Sequence, residues 1–577
     1  MKYLPKKLLT LSYLIICSFL FCLSIHASDS TYGNFTTATF LFETPLFSYQ
    51  TQAIEVNGVR YFTLPSLANA LNHTSSPFNF KWLPKQQVIE IQKDTAYSGA
   101  SLERISTGDK PFKVQPNQVT LLVGGSSYTL NTFLYNNQNY FNPTDLTPLL
   151  HCDFAINPNT YIIKVYPDLP YRQVLTSDGS SPMFKTSTDT RLTISPQRWA
   201  STLRNSAFVD HSNRLNTLNV SDALYITTYD ATLKPIETKE LPLELPSWGG
   251  FYSGSNYNFC VVGQSNKEQA SQKEVIRLIK YDKNFNRLDA LSITGSMCST
   301  TVPFDAGSLR MQEIGNKLII HTSRERYKSS DGLNHQSQLT LIVDIDEMKL
   351  VNDLGLFQPN HVSHSFNQFV LKDGSKHVLL DHGDAYPRSI VLHAGDGSQY
   401  KEVDLFKIPG KTGANCTGVF VGGFAMSKDH YIAAFSTIDH SLATAYTSYN
   451  IVGIEKEQRH IMVSAVSKNN LSNDAVKQKM IMDYTGTTKT ASSPYLIKLS
   501  DQHLALLWQE KDSSSLHTCI RYVCLDQEGN ACTPVQSLYG TLSDCEPVLY
   551  NDTLTWFVDF LDSRLMYSLP LKMILPN

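Results

Sequence analysis

The chain has 577 residues, is 42% hydrophobic and 18% charged, and carries a formal net charge of −3. That length exceeds one hydrophobic core and asks for two to four domains. The composition excludes a disordered chain, and the lack of a basic stripe argues against a dedicated nucleic-acid binder. With 29 Tyr and 28 Phe, the sequence favours half-buried pleated surfaces, hence a mainly β protein.

Residues 1–27 read as a signal peptide. Lys2, Lys6 and Lys7 give a positive start, Leu8 to Ile25 is an uncharged apolar run, and Ala27 suits the position before a cut at Ser28. Cleavage would take three positive charges off the formal −3 and leave −6. The expected localisation is secreted or cell surface. Contact with a membrane is expected only through this segment, if it is kept as an anchor. Cys17 and Cys22 lie inside it, and eight cysteines follow. Export permits disulfides. Cys524 and Cys532 flank the turn-like stretch Asp526 to Asn530 and could meet across a hairpin, with buried free thiols as the equal alternative. No CxxC pair is present, which argues against a cysteine zinc site.

Two stretches then repeat each other. Ile54–Leu71 (IEVNGVRYFTLPSLANAL) matches Leu134–Leu150 (LYNNQNYFNPTDLTPLL): Tyr61-Phe62 falls on Tyr140-Phe141, Leu67 on Leu146 and Leu71 on Leu150. Phe80–Ile91 aligns without a gap on Phe154–Val165. Each copy predicts a strand, a tight turn at Asn57-Gly58 or Asn136-Asn137, a second strand and a short helix. A final hairpin turns at Pro84-Lys85 or Pro158-Asn159. The boundaries read as 36–103 and 111–167.

The order strand, Asn-Gly, strand with Tyr-Phe, Pro, Leu, Ala-x-x-Leu, then Trp82 and a strand ending Val88-Ile-Glu-Ile91 resembles the copper amine oxidase N-terminal-like domain. This is the stalk domain of surface proteins of Gram-positive bacteria. The second copy departs from it, with Pro143 shifted by one place and Ile156 where the Trp stands. The resemblance implies a non-catalytic α+β surface module and no copper. The namesake chemistry needs a Tyr in an Asn-Tyr-Asp/Glu context plus histidine ligands, and Asn256-Tyr257-Asn258 lacks the acid.

Residues 168–195 are polar and read as a linker. From 196 to 577 one hairpin pattern recurs, with turns near Ser255, Gly315, Asp373, Lys428, Ser500 and Asn551, at a mean step of about 59 residues. Several hairpins are followed by a strand pair around an Asp turn. Two hairpins make a four-stranded blade, so the reading is a β-propeller. Six copies, plus room for one at 196–247, suggest seven blades, with six or eight left open. A strand near 190–200 is expected to close the ring. The long step between 428 and 500 is assigned to an insert around 468–493, whose middle, NDAVKQKMIMDY, reads as a short helix.

Three polar groups stand out as ligand-binding candidates. The densest is His361 and His364 followed by Asp381, His382, Asp384 and Arg388, where imidazoles and carboxylates could bind a ligand, hold a metal or act as acid and base. The alternative is that they brace loop backbone. The second is Asp305, Arg310, His321 and Arg324, with His335 beside them. Arg310 interrupts an apolar alternation and either pairs with Asp305 or faces an anionic ligand. The third is Trp248 and Tyr252 around Gly249-Gly250, echoed by Gly422-Gly423-Phe424. Blade packing explains these glycines, and the two rings could stack on a sugar. No catalytic residue and no cofactor is assigned, and a metal stays open.

Glycine-rich phosphate motifs, HExxH and GxSxG are absent. The expected function is therefore an exported cell-envelope binding or structural protein. Its propeller would recognise a glycan or protein, with no copper amine oxidase activity. The alternative is an extracellular propeller hydrolase or lyase acting on polysaccharide or peptide.

Overall fold

The structure, a computed structural model, describes residues 30–42, 48–72, 74–99, 110–156, 162–176, 190, 192, 199–514, 518–560 and 563–576. The signal stretch 1–27 and the turn expected at Pro158-Asn159 lie outside them. Among the described residues no helix is long and apolar enough to cross a membrane. The chain divides into two units, one reaching Asp168 and the other running from Leu169 onward.

In the first unit both copies share one element order. The first has β1 (Tyr32–Phe42), β2 (Ser48–Val56), β3 (Val59–Tyr61), a helix at Leu64–Leu71, β4 (Phe78–Leu83) and β5 (Val88–Lys93). After the short β6 (Phe112–Lys113), the second has β7 (Gln115–Val123), β8 (Ser126–Tyr135), β9 (Gln138–Tyr140), a helix at Pro143–Leu150, β10 (Cys152–Ile156) and β11 (Ile162–Pro167). Asn57 and Gly58 stand at φ 53° and 78°, and Asn136 and Asn137 at 44° and 64°. Paired positive φ values are what a two-residue hairpin turn demands, which is why Asn and Gly fill these places. Thr63 caps the first helix, accepting from Ser66 N at 3.3 Å. Asn142 caps the second, accepting from Thr144 N at 3.1 Å.

The two copies exchange hairpins. One sheet runs β10-β11-β1-β2-β3 and the other β4-β5-β7-β8-β9. Each contains the first three strands of one copy and the last two of the other. The joints are parallel: Thr39–Phe42 lies along Ile162–Val165, and Ile89–Ile91 along Leu121–Val123. The equivalent residues Phe62 and Phe141 bond each other reciprocally, N to O, at 2.8 and 2.7 Å. Leu67 and Leu71 share a single core with Leu146, Leu150, Phe40 and Ile163. A copy of this size has too little apolar surface to close a core alone.

The second unit is a β-propeller of seven antiparallel sheets. The inner strands are Asn205–Val209, Ser247–Ser253, Leu309–Ile314, Ser365–Asp373, Val419–Met426, Tyr495–Lys498 and Val548–Tyr550. In blades 3 and 6 a further strand, Thr300–Pro303 or Lys489–Ala491, joins the inner strand along the second strand. The first hairpins turn where polar residues interrupt the apolar alternation, at Gly315 and Gly374 with φ 62° in both. The outer hairpins turn on an aspartate that accepts the next backbone N–H groups: Asp282 from Asn284 and Asn286, Asp526 from Glu528 and Asn530.

Blades adhere through apolar wedges. One such core joins Phe259, Val261 and Leu278 of blade 2 to Leu318, Ile320 and Leu341 of blade 3. Where the wedge thins, backbone replaces side chain. A Cβ on Gly423 would stand 2.5 Å from Leu496 N of blade 6, so the Gly-Gly pair lets two inner strands touch.

Closure uses both ends of the unit. Blade 7 takes Val548–Tyr550, Thr553–Phe560 and Ser563–Pro570 from the C-terminus and Arg172–Thr176 as its outermost strand. The closing strand is therefore not at 190–200, and it falls inside the stretch read as a linker. Its alternation is too short to stand out from polar neighbours. Across the seam, Arg564 is fully buried and clamps Asp559 bidentately at 2.7 and 2.9 Å. It also donates to Thr217 Oγ1 (2.8 Å) and Tyr229 OH (2.9 Å) of blade 1.

The long step contains no helix at NDAVKQKMIMDY. Asn473–Ala475 is a 3-10 turn, and Lys477–Met482 is the fourth strand of blade 5, paired with Ile461–Ala465. The extra length sits at 438–459, where a 3-10 turn and a small hairpin (Ala445–Tyr446 with Ile451–Val452) separate the second and third strands. Tertiary pairing overrides a local apolar spacing that suits either state.

Candidate functional site

The polar loop of blade 4 is built as bracing. Asp381 is fully buried on the second strand of that blade. Its Oδ2 lies 3.0 Å from Nε2 of His321, a blade 3 residue, and its Oδ1 accepts from Ser365 Oγ at 2.6 Å. The other nitrogen of His321 meets Thr340 Oγ1 at 2.9 Å, and Asn360 donates to the same hydroxyl. Blades 3 and 4 are thus joined by a chain in which every polar atom of Asp381 and His321 has a partner.

The rest of the group follows suit. His364 Nδ1 meets the buried Asp384 carboxylate at 2.9 Å. His382 Nε2 meets Thr417 Oγ1 at 3.0 Å, and burial holds this imidazole down to about 3. Arg388 ties four carbonyls of its own surroundings, those of Pro409, Asp384, Ala414 and Cys416, at 2.7–3.2 Å. Arg324 is 1% exposed and donates to the carbonyls of Cys298, Leu354 and Gly355. His361 stacks edge-on against Phe357, and burial with the nearby Arg326 and Arg324 pushes it down to about 4. His335 bonds Asp331 at 2.7 Å.

Arg310 does not pair with Asp305. Burial pushes the Asp305 carboxyl up, with Glu325 adding to the effect. Backbone explains the separation: Arg310 sits on the inner strand and projects toward the propeller axis, whereas Asp305 precedes that strand in the turn.

On the axis the seven inner strands enclose a cavity of about 680 Å³. Its wall is largely apolar, with Trp248, Phe251, Met311, Phe424, Ile497 and Val548 among the lining residues. Trp248 is 5% exposed and held by a bond from Nε1 to Leu203 O at 2.8 Å. Tyr252 is half-buried, and its hydroxyl accepts from Gln312 Nε2 (3.1 Å) and Glu313 N (3.2 Å). Both rings therefore line the cavity as fixed wall.

Charge enters this apolar wall at few points. Arg310 keeps 22% of its side chain exposed and lies over the Phe369 ring at 5.2 Å. Its nearest carboxylate is Glu546, contributed by blade 7, at 4.0 Å. That distance is at the limit of an ion pair, and burial pushes the Glu546 carboxyl up against the pull of Arg310. The guanidinium makes one long bond, to Leu309 O at 3.3 Å. A fork of five donors so lightly engaged, in a low-dielectric cavity, suits a carboxylate or another planar anion. Lys372 lines the same cavity, as does Lys498, which is tied to Asp501 at 2.6 Å. Glu546 escapes sequence reading because only ring closure brings it to Arg310.

No family model and no curated protein matches the chain. Its structural neighbours are β-propeller proteins. The N-terminal domain of Nup159 aligns at 9% identity and TM-score 0.32 over 66% of this chain and 94% of that one. BBS1N aligns at 9% identity and TM-score 0.34 over 67% and 98%. A thermostable family-43 glycoside hydrolase aligns at 9% identity and TM-score 0.28 over 59% and 93%.

Proposed function

We propose that this is an exported binding protein of the cell envelope. Its propeller holds, in the axial cavity, an acidic glycan or a peptide segment bearing a carboxylate. The observation that carries the reading is Arg310: a lightly bonded guanidinium in an apolar cavity of ligand size, across from a carboxyl that burial disfavours as an anion. The N-terminal pair of exchanged repeats, with its likeness to stalk modules, serves as the spacer that presents the propeller. Export rests on the charged and apolar pattern of residues 1–27.

The test is an array of acidic and neutral glycans and peptides probed with the full chain and with Arg310→Gln. Retention of acidic members by the parent, and their loss on substitution, supports the reading. Equal binding by both chains rejects the cavity. Turnover of any member rejects the binding-only role and favours the hydrolase alternative.

A further inference from the structure

Blade 6 brings three soft donors together at one end. His503 closes the first turn of the blade, Cys524 is the penultimate residue of its third strand, and Cys532 follows the Asp526 turn. The imidazole and the two sulfurs all lie within 4.8 Å of one another. Strand alternation explains the approach. Ala505 is the register partner of Cys524, and His503 stands two places before Ala505, so its side chain falls on the same face. Cys532 is set opposite Cys524 by its bond from N to Cys524 O at 2.9 Å and by the bridge between Leu525 and Ala531.

The scaffold around the donors is rigid. Asp526 holds the turn through Glu528 N, Asn530 N and Asn530 Nδ2. Thr533 Oγ1 accepts from Cys524 N at 3.0 Å, and Ser500 Oγ accepts from His503 N at 3.1 Å. We infer that His503, Cys524 and Cys532 form a binding site for a thiophilic d10 cation, zinc being the natural occupant, with water in the fourth position. Two thiolates and one imidazole are a donor set that zinc takes in tetrahedral geometry, with Zn–S near 2.3 Å. The donor separation needs only a small contraction to reach it. Binding releases one proton from each thiol and none from the neutral imidazole. Both thiols are free in this structure, and a disulfide between them would remove both sulfur donors.

The experiment uses the full chain, isolated without reductant, stripped with a chelator and re-equilibrated with zinc. Metal content is read by mass spectrometry and coordination by cobalt substitution. One zinc per chain and thiolate-to-cobalt charge-transfer absorption are expected. His503→Ala and Cys532→Ser should weaken binding at least tenfold at unchanged melting temperature of the metal-free chain, His503→Cys should restore it, and Cys519→Ser should leave it intact. Three results would overturn the inference: no stoichiometric metal, parental affinity in His503→Ala, or a Cys524–Cys532 disulfide in the isolated chain. If Cys532→Ser unfolds, His503→Ala alone decides, because its backbone bonds do not use the ring.

Discussion

The polar loop of blade 4 and the axial cavity hold similar residue types and put them to opposite uses. In and beside the loop, Asp381 on its strand, Asp384, His364, Arg388 and the blade 3 residue His321 are matched with partners at 2.6–3.2 Å. In the cavity, Arg310 has one bond of 3.3 Å and a carboxylate at 4.0 Å. A dense run of chemically capable side chains is thus no sign of a site. What matters is how much hydrogen-bonding capacity the fold leaves unspent, because a ligand can use only what bracing does not.

Substitutions break this contrast in graded steps. The largest effect belongs to Asp381→Ala, which strands His321 Nε2 inside the seam between blades 3 and 4 and leaves Ser365 Oγ with only its bond from Gln368 Nε2. One buried ring nitrogen left without a partner and one hydroxyl left without its acceptor should cost roughly 2–4 kcal/mol in urea unfolding; a loss below about 1 kcal/mol would mean the seam does not depend on this carboxylate. Arg388→Ala comes next. It removes donors to four carbonyls and should cost about 1–3 kcal/mol while leaving ligand uptake intact. Retained melting with lost binding would return this loop to the list of sites.

A pH series sharpens the same point. Burial lowers His382 from 6.5 to about 3. On acidification the unfolded chain takes up this proton first, so the stability tied to the neutral ring is complete above 6.5 and is lost as pH falls from there toward 3. His382→Asn should flatten that limb of the unfolding midpoint plotted against pH, and an unchanged slope would show that the ring is not held neutral. Glu546→Gln stands lowest in stability cost. The carboxyl lines the cavity and its one ion-pair partner stands at 4.0 Å, so melting should stay within about 0.5 kcal/mol of the parent. Binding of an acidic ligand should strengthen, since the competing carboxylate is gone.

Much of the fold was legible. The six hairpin turns from Ser255 to Asn551 lie between first and second strands of successive blades, because a polar turn between alternating apolar runs is a local signal. Both Asn-containing turns of the N-terminal copies were legible for the same reason. The exchange of hairpins was not. Parallel pairing of Thr39–Phe42 with Ile162–Val165 leaves no local mark, and either partner would bury the same residues. The closing strand Arg172–Thr176 was hidden likewise, its pairing with Ser563–Tyr567 lying at the far end of the chain. In the site, Arg310 was visible as a break in an apolar alternation. Its neighbours Phe369 and Glu546 were not, since blades 4 and 7 deliver them. Nor could sequence show that His321 and Asp381, apart in the chain, satisfy each other.

The central claim is that recognition resides in the axial cavity and not in the braced loop. It is tested most directly by measuring melting temperature and acidic-ligand binding side by side on Arg310→Gln and Arg388→Ala. The account predicts that Arg310→Gln keeps its melting temperature and loses binding, while Arg388→Ala melts earlier and binds as the parent does. The reverse pattern, binding lost with Arg388 and kept without Arg310, would contradict it.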